Sequence, residues 1–556
     1  MPFGRTASAT RRALLNDTWP DVASAACLAL VSLVMIVTLG DYGLTYDEEP
    51  HIRYGERVLA FYSSGFRSSG GVVRSSYGAA FDVAAALLRR VSPWDEYRTN
   101  HVLCAFVAQI GLLGTWRLGR LVGGPLGGLY SLLFLVLTPV YYGHQFNNPK
   151  DIPFAAGYVW GLYFIGRLLV ACAPSEAAPL AALGGYRFWL ALAAALGFGM
   201  AVRVGGAILI GYLVLFLALV ALERWRSSRA AARALAPIGL RALAAVLGGW
   251  ALVILSWPRA LMRPLDGPRT ALDTVTNYTA YDSPTLLRGE SIPSQKVPWD
   301  YLPTYFAVQL PEWLLVCFVG ACAAAVVGAL LALRRRQAIP WVWLLLVTAV
   351  LVPPAYAIVR HSTLYNGLRH FLFIIPPIAV LAGGALAEST RRAALNRPLG
   401  AAALAALMLL FTVDQAAASW RLHPHEHVYF NRWSGGPARA VDRYETEYYG
   451  SVYQELHERL AEEVWQTRRD EYLNRTFLVS GCGSNLFFKR NLPQNFQYAA
   501  MRGAKNADYY ATYARDGCLR HFRDRALVTS VVRDGATLGV ARDMKRKARR
   551  RPSAAR

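Results

Sequence analysis

Acidic and basic residues gather directly after an apolar run near the start of the chain. The run Val22–Gly40 carries no charge and is long enough to cross a bilayer. The segment that follows it contains Asp47 and Glu48, with His51 and Arg53 close by. Carboxylates at the lip of a membrane span are costly unless they face water or a polar cavity. We therefore interpret Asp47 and Glu48 as part of a functional site.

More polar side chains stand at the ends of later apolar runs. If the chain crosses the membrane at each run, the following residues share the face of Asp47: Lys150, Asp151, Arg203, Arg360, Tyr365, Asn366, Arg369 and His370. Arginine grips phosphate oxygens through several fixed donors. A nearby carboxylate can take a proton from a hydroxyl or an amine. The mixture suits a reaction on a lipid-linked phosphate whose tail stays in the bilayer.

The composition predicts an α-helical polytopic membrane protein. Hydrophobic residues make up 54% of the chain and charged residues 17%, and the charges lie between long uncharged runs. A crossing needs roughly 20 residues, which predicts about eleven spans. Arg5, Arg11 and Arg12 precede the first span, so the N-terminus is predicted in the cytoplasm and Asp47 outside. The net charge of +23 is spread over the gaps and the tail, which favours lipid contact over nucleic-acid binding.

Two regions are predicted. Residues 1–418 form the membrane part, with long outer loops at 41–98 and 258–311. In the first of these loops, the segments Glu49–Ser63 and Tyr77–Val91 mix apolar and charged residues at helical spacing, which predicts amphipathic helices on the outer membrane surface. Residues 419–556 are polar and mixed, with one helical stretch and short strand-like runs, which indicates a small α/β domain outside the cytoplasm. Cys482 and Cys518 both fall in this domain, where a disulfide is possible; the pairing itself stays open.

Five segments carry a resemblance to a known family. They are Thr45–His51, Asn147–Pro153, Arg203–Gly206, Pro298–Pro303 and Tyr365–Pro377. In their order along the chain and in the side of the membrane predicted for them, these segments resemble the GT-C glycosyltransferases that use polyprenyl phosphate. The resemblance is greatest to the protein-O-mannosyltransferase-like group (glycosyltransferase family 39 type) and the related aminoarabinose transferases. The resemblance covers the membrane part and, more loosely, the Tyr429–Gly436 region.

The resemblance implies a GT-C fold and an inverting, single-displacement sugar transfer on the outer face of a bacterial inner membrane. The donor would be a polyprenyl-phosphate sugar and the acceptor a lipid, a glycan or a protein. Asp47 would be the base, with Glu48 and Asp151 in the same site. The cations implied for the donor phosphate are Arg203 and Arg369, then Lys150, Arg360 and His370, and the residues implied for substrate binding are His51, Tyr365 and Asn366. No metal ligand is assigned, and a divalent cation stays open as a cofactor.

Simpler readings of these residues stand beside the functional ones. Asp47 and Asp151 could each only cap a helix. Arg203 could be a turn residue at the lipid head groups, and Arg369 with His370 an interfacial anchor. The run 423–427 alternates histidine with other residues, which resembles a metal cluster only if it is a strand.

Two other function classes compete with the enzyme. A secondary transporter would place ionisable residues near mid-span and show paired repeats with broken helices. A non-catalytic scaffold would need no mutual arrangement of its outer polar residues. The sequence keeps its charges at the outer ends of the spans, which favours the glycosyltransferase.

Overall fold

The helices and strands of the chain follow from a computed structural model. It describes residues 18–67, 71–172, 183–276, 278, 283–482, 488, 490, 492–515 and 517–548. The N-terminal arginines on which the predicted orientation depends lie outside these residues, as does the end of the basic tail.

The described membrane part is built from helices. In chain order they are α1 (Trp19–Thr38), α2 (Glu48–Ser63), α3 (Ala80–Arg89), α4 (Glu96–Val136), α5 (Pro139–Tyr142), α6 (Asp151–Ala171), α7 (Tyr186–Val202), α8 (Ile208–Ser227), α9 (Arg229–Arg233), α10 (Ala236–Ser256), α11 (Pro258–Met262), α12 (Asp266–Thr276), α13 (Tyr301–Gln309), α14 (Glu312–Arg334), α15 (Trp341–Val359), α16 (Ile375–Asn396) and α17 (Pro398–Leu422). A two-stranded antiparallel hairpin, β1 (Pro284–Leu287) and β2 (Glu290–Pro293), lies in the second outer loop.

The number of crossings agrees with the predicted eleven. Nine helices in the described residues are long and apolar enough to span a membrane. One of them, α4, is broken at Gly123 and Gly124 and therefore makes two crossings. The shorter apolar helix α7 supplies the remaining one. The helical polytopic fold is confirmed.

The break in α4 depends on glycine. Gly124 has φ +63°, a left-handed conformation that glycine adopts without strain. After the break the second half of α4 runs back along the first half. The two halves lie so close that a Cβ added at Gly119 would meet the Ser131 side chain at 2.4 Å. A Cβ at Gly128 would likewise meet Trp116 at 3.0 Å. Small residues thus let the two halves of α4 pack closely.

The two segments predicted as surface helices in the first outer loop are helical, over α2 and α3. Their apolar faces pack together, with Ile52, Val58 and Phe61 of α2 buried. Gly55 lets the helices approach, because an added Cβ would lie 2.3 Å from the Asp82 backbone oxygen. These helices cover the end of the bundle at which Asp47 lies.

The C-terminal region carries a five-stranded mixed sheet. Its elements are α18 (Gly436–Ala440), α19 (Val452–Thr467), α20 (Arg469–Asn474), β3 (Phe477–Gly481), β4 (Phe496–Ala499), β5 (Tyr509–Tyr513), β6 (Arg525–Arg533) and β7 (Ala536–Lys547). The strand order is β4-β3-β5-β7-β6, with β3 parallel to β4 and β5 and the other pairs antiparallel. Helix α19 packs on the sheet, and the shared core also takes in Ala418 and Leu422 of α17. Cys482 and Cys518 form a disulfide.

Replacement of Gly249 by alanine is expected to destabilise the bundle. Gly249 of α10 faces α7, and an added Cβ would lie 2.8 Å from the Ala193 backbone oxygen. Such overpacking costs about 1–3 kcal/mol. The measurement is the midpoint of thermal unfolding of the detergent-purified protein. Gly248→Ala is the matched control, since its Cβ would meet Ala193 at an ordinary 3.5 Å. Equal midpoints for the two variants would contradict the close contact of α7 with α10.

Candidate functional site

Asp47 lies at the start of α2, but its side chain does not cap that helix. Its Oδ2 atom lies 3.2 Å from Lys150 Nζ and 3.1 Å from Arg369 Nη2. The hydroxyl of Tyr449 donates to the same oxygen at 3.4 Å. The carboxylate therefore belongs to an ionic cluster rather than to the end of the helix.

Asp151 begins α6 and faces the same cluster. Arg203 forms an ion pair with its Oδ1 atom, and Arg369 Nε lies 3.6 Å from its Oδ2 atom. The backbone N–H of Asp151 donates to Asn148 Oδ1 at 2.9 Å, so Asn148 and not Asp151 serves the helix end. Arg369 thus stands between two carboxylates, and its side chain is 4% exposed.

Arg203 and Arg369 both lie outside the regular α-helices, and the local backbone conformation positions each side chain. Arg203 is extended between α7 and α8, and its backbone pairs with Tyr77 of the first outer loop. Arg369 follows a tight turn in which Asn366 and Gly367 both have φ +59°. A Cβ at Gly367 would lie 2.7 Å from the Gln309 side-chain oxygen, so this turn needs glycine for its space as well as for its φ.

The cluster carries a net positive charge. Three cations, Lys150, Arg203 and Arg369, face the two carboxylates of Asp47 and Asp151. Burial alone would raise the pKa of Asp47, but Arg369 and Lys150 hold it well below its usual range. Burial would lower the pKa of Lys150, but Asp47 raises it. Both groups are charged at neutral pH, and the excess positive charge favours an anion.

Glu48 faces away from this cluster. Its Oε2 atom accepts from the Thr45 backbone N–H at 2.8 Å and from the Thr45 hydroxyl at 3.1 Å. Its Oε1 atom lies 2.7 Å from His101 Nε2 of α4. The residue is fully buried, and its contacts fix the loop that carries Asp47.

The remaining predicted residues surround the cluster unequally. His51 pairs with Asp82 of α3 at 2.9 Å. The ring of His370 packs edge-on against Tyr365 with centroids 4.6 Å apart. Asn366 donates its backbone N–H to Glu445 at 2.6 Å, while its buried side-chain oxygen has no hydrogen-bond partner among the residues that the structure describes.

Arg360 does not join the cluster. It is exposed at the end of α15, and no ion pair among the described residues includes it. Arg360 and Arg369 lie in the same short sequence gap, but the turn between them changes the direction of the chain. Arg369 therefore joins the cluster and Arg360 does not.

Aromatic residues that the sequence analysis did not assign complete the site. Lys150 Nζ lies 5.0 Å from the ring centroid of Tyr77, and the Arg369 guanidinium lies 5.1 Å from that of Tyr449. Tyr448 donates to or accepts from His144 Nε2 at 2.9 Å. Tyr448 and Tyr449 belong to the C-terminal region, so the pattern of membrane spans does not link them to Asp47. The pair of adjacent tyrosines is the sequence feature that could have indicated a role in the site.

An apolar cavity of about 510 Å³ opens beside the cations. Arg203, His370 and Tyr365 lie in its lining together with Phe154 and Phe373. The rest of the lining is mainly aliphatic and aromatic side chains from α8, α12 and α15. A ligand with a hydrocarbon tail and an anionic head fits such a boundary between apolar and cationic surfaces.

The histidines of the segment 423–427 do not converge. His425 pairs with Glu455 at 2.9 Å and His427 with Glu447 at 3.0 Å. His423 lies between Asp41 and Glu426. No group of three or more metal-ligating side chains is found within the described part of the chain.

Several solved structures are similar to this chain. ArnT, an aminoarabinose transferase of Cupriavidus metallidurans, matches in its apo state at 14% identity and a TM-score of 0.48 over 94% of this chain and 98% of its own. The same protein bound to undecaprenyl phosphate matches at 15% identity and 0.44 over 93% and 97%. The oligosaccharyltransferase AglB of Archaeoglobus fulgidus, in complex with an inhibitory peptide and a dolichol-phosphate, matches at 12% identity and 0.47 over 89% and 70%.

These matches agree with the resemblance noted in the sequence. No protein-family model and no curated protein matches the sequence.

Glu48→Ala is expected to lower stability. The substitution leaves buried donors at Thr45 without their acceptor, at a cost of about 1–3 kcal/mol. Thermal unfolding of the purified protein measures this loss. The control is Glu56→Ala, because the Glu56 carboxylate is half exposed and its loss is expected to cost under about 1 kcal/mol. Its buried partner Arg89 keeps hydrogen bonds to Asn100 and to the Ile52 carbonyl. Unchanged stability with lost ligand binding would instead place Glu48 in the site.

Proposed function

We propose that the protein is an integral-membrane glycosyltransferase that moves a sugar from a polyprenyl-phosphate donor to an acceptor on the outer face of the bacterial inner membrane. The observation that supports this most is the ionic cluster of Asp47, Asp151, Lys150, Arg203 and Arg369 beside the apolar cavity. The N-terminus is placed in the cytoplasm, and the region from 419 onward outside it.

The donor is held at both ends of its amphipathic structure. Its isoprenoid tail enters the apolar cavity, and its phosphate meets Arg203 at the cavity lining and Arg369 and Lys150 next to it. Arg369 Nε lies 3.6 Å from Asp151 Oδ2 and makes no hydrogen bond within the described part of the chain, so this donor can turn to a phosphate oxygen. Charge-assisted hydrogen bonds of this kind are stronger than neutral ones. The undecaprenyl phosphate bound to ArnT is a lipid phosphate of the kind that such a donor leaves after transfer of its sugar.

The transfer is a single displacement with inversion. A hydroxyl or amine of the acceptor forms the new bond to the anomeric carbon, and the bond from that carbon to the phosphate oxygen breaks. Its electron pair leaves with polyprenyl phosphate, whose charge the cations stabilise. Asp47 takes the proton of the nucleophile. When phosphate draws Lys150 and Arg369 away from Asp47, its pKa rises and the carboxylate becomes a better base.

The position of the ion pairs supports an enzyme over a transporter. Asp151 begins α6, Arg203 lies between α7 and α8, and Arg369 precedes α16. All three therefore stand at helix ends, whereas transport sites lie near mid-span. A scaffold would have no use for carboxylates and cations brought from four distant segments to one buried place.

Asp47→Asn is expected to reduce sugar transfer by about 100-fold or more, since an amide cannot act as the base. The measurement is the rate at which the purified protein releases polyprenyl phosphate, alongside mass spectrometry of envelope glycans from a deletion strain carrying the variant. Asp41→Asn is the control, because that carboxylate lies in the same loop, is half exposed and contacts His423. Near-normal turnover by the folded Asp47 variant would remove this residue from the chemistry.

Arg203→Gln and Arg369→Gln are expected to weaken binding of the donor phosphate. Each loses charge-assisted hydrogen bonds worth about 1.5–3 kcal/mol, or roughly 10- to 150-fold in Kd. Titration of a fluorescent polyprenyl phosphate into the protein in nanodiscs measures the change. Arg360→Gln serves as control and should bind as the wild type does, because Arg360 is exposed outside the cluster. Unchanged affinity in both cluster variants would mean that the donor phosphate binds elsewhere on the protein.

A further inference from the structure

A short segment of the C-terminal region, residues 445–449, lies against the ionic cluster. Its last residue, Tyr449, donates its hydroxyl to Asp47 Oδ2 at 3.4 Å. The backbone N–H of Tyr46, the residue before Asp47, donates to the Tyr449 carbonyl oxygen at 3.2 Å. Tyr449 therefore contacts the loop that carries Asp47 through both its side chain and its backbone.

The position of Tyr449 is fixed from within the C-terminal region. Glu447 is fully buried, and its Oε1 atom accepts from the backbone N–H of Tyr449 at 3.1 Å and from that of Gly450 at 2.6 Å. Its Oε2 atom lies 3.0 Å from Nε2 of His427. Burial alone would raise the pKa of Glu447, but His427 lowers it, so the carboxylate stays charged and holds both backbone groups. Two successive N–H groups are thereby held, which fixes the course of the chain at Tyr449.

The Asp47 loop also packs closely on the chain just after Tyr449. A Cβ added at Gly43 would lie 2.1 Å from the Ser451 backbone oxygen. On the other side, the Asn147 side chain donates to the Gly43 carbonyl oxygen at 2.9 Å. The loop is thus held between the membrane part and the C-terminal region, and a shift of either would move Asp47.

All contacts of the Asp47 carboxylate fall on one of its two oxygens. Lys150, Arg369 and Tyr449 all meet Oδ2. Among the described residues no hydrogen bond or ion pair includes Oδ1, and the side chain is 22% exposed. Oδ1 is therefore the oxygen that is open to an incoming nucleophile.

Tyr449 differs from the other two groups at Oδ2 because it is neutral. Burial raises the pKa of its hydroxyl well above the usual range, and the charge of Asp47 raises it further, so the phenol keeps its proton. When a donor phosphate draws Lys150 and Arg369 away, the phenol still holds Oδ2. A neutral hydrogen bond lowers the pKa of a carboxylate less than two cations do. The carboxylate thus keeps its orientation while it becomes a better base.

The same segment holds the turn that leads to Arg369. Glu445 accepts from the Asn366 backbone N–H at 2.6 Å and from the Thr285 hydroxyl at 2.5 Å. Asn366 and Gly367 form the turn with positive φ that precedes Arg369. Residues four apart in one segment therefore contact the Asp47 carboxylate and the turn of the arginine that pairs with it.

We propose that the segment 445–449 positions the site for sugar transfer: Tyr449 holds Oδ2 of Asp47 so that Oδ1 takes the proton of the nucleophile, and Glu445 holds the turn that places Arg369 for the donor phosphate. This role depends on the proposed glycosyltransferase function, which makes Asp47 the base. Tyr449 and Glu445 act through Asp47 and Arg369, so they are positioning residues.

Tyr449→Phe tests the contact with Asp47, in the full chain in nanodiscs. Fluorescent polyprenyl phosphate should bind with unchanged affinity, because the phenylalanine ring still lies next to the Arg369 guanidinium. The initial rate of transfer should fall about fivefold or more, since the base loses its orientation. Envelope membranes of a deletion strain supply the donor and the acceptor for this assay. Tyr444→Phe is the matched control, because no hydrogen bond within the described part of the chain includes the Tyr444 hydroxyl.

A second readout separates positioning from a loss of folded protein. A hydrogen bond to the charged form lowers the pKa of a carboxylate. With polyprenyl phosphate bound, the pKa of Asp47 should therefore be about 0.5–1 unit higher in Tyr449→Phe, and the rate should fall on acidification at a correspondingly higher pH. Infrared titration measures this pKa, and Asp47→Asn identifies the band. The other charged or titratable groups around Asp47 stay the same in this variant: Lys150, Arg369, Asp151, and His51 with its partner Asp82.

Glu445→Ala tests the contact with the turn. It should weaken binding of fluorescent polyprenyl phosphate about tenfold, whereas Glu445→Gln keeps an acceptor oxygen and should bind nearly as the wild type does. A wild-type rate and pKa in Tyr449→Phe, an equal loss in Tyr444→Phe, or wild-type affinity in Glu445→Ala would overturn the proposal. Failure of the proposed function gives a different result, namely full turnover by Asp47→Asn.

Discussion

The guanidinium of Arg369 is buried between the carboxylates of Asp47 and Asp151, and the outer half of the membrane part is arranged around this contact. A buried charge is tolerated only when it is paired and hydrogen-bonded. The pairing therefore ties three segments that are far apart in sequence: the first outer loop, the start of α6 and the turn before α16. Lys150 shares the Oδ2 atom of Asp47 with Arg369, and Arg203 pairs with the other oxygen of Asp151.

The excess positive charge of the ionic cluster and the apolar cavity together define the kind of ligand that fits the site. Three cations against two acids leave room for one more negative charge, and the adjoining cavity is lined mainly by apolar side chains. A soluble anion would need only the first feature and a neutral lipid only the second. A phosphate attached to a long hydrocarbon chain uses both, which is why the donor proposed here is lipid-linked.

The C-terminal region contributes side chains to the site. Tyr449 reaches Asp47, and His427 and His425 each hold a carboxylate of the C-terminal segments. Burial would raise the pKa of Glu455, but His425 and Arg533 hold it at about 2. The ionised network fixes the segment that carries Tyr448 and Tyr449 against the ionic cluster.

The sequence alone determined the crossings, the two surface helices and the set of polar segments at the helix ends. Run length and helical period are local properties, so they survive into the folded protein largely unchanged. Side-chain direction is not local, because it depends on helix phase and on which neighbour packs where. Only the tertiary structure turned Glu48 toward His101, left Arg360 exposed and brought Tyr77 and Tyr449 over the cations.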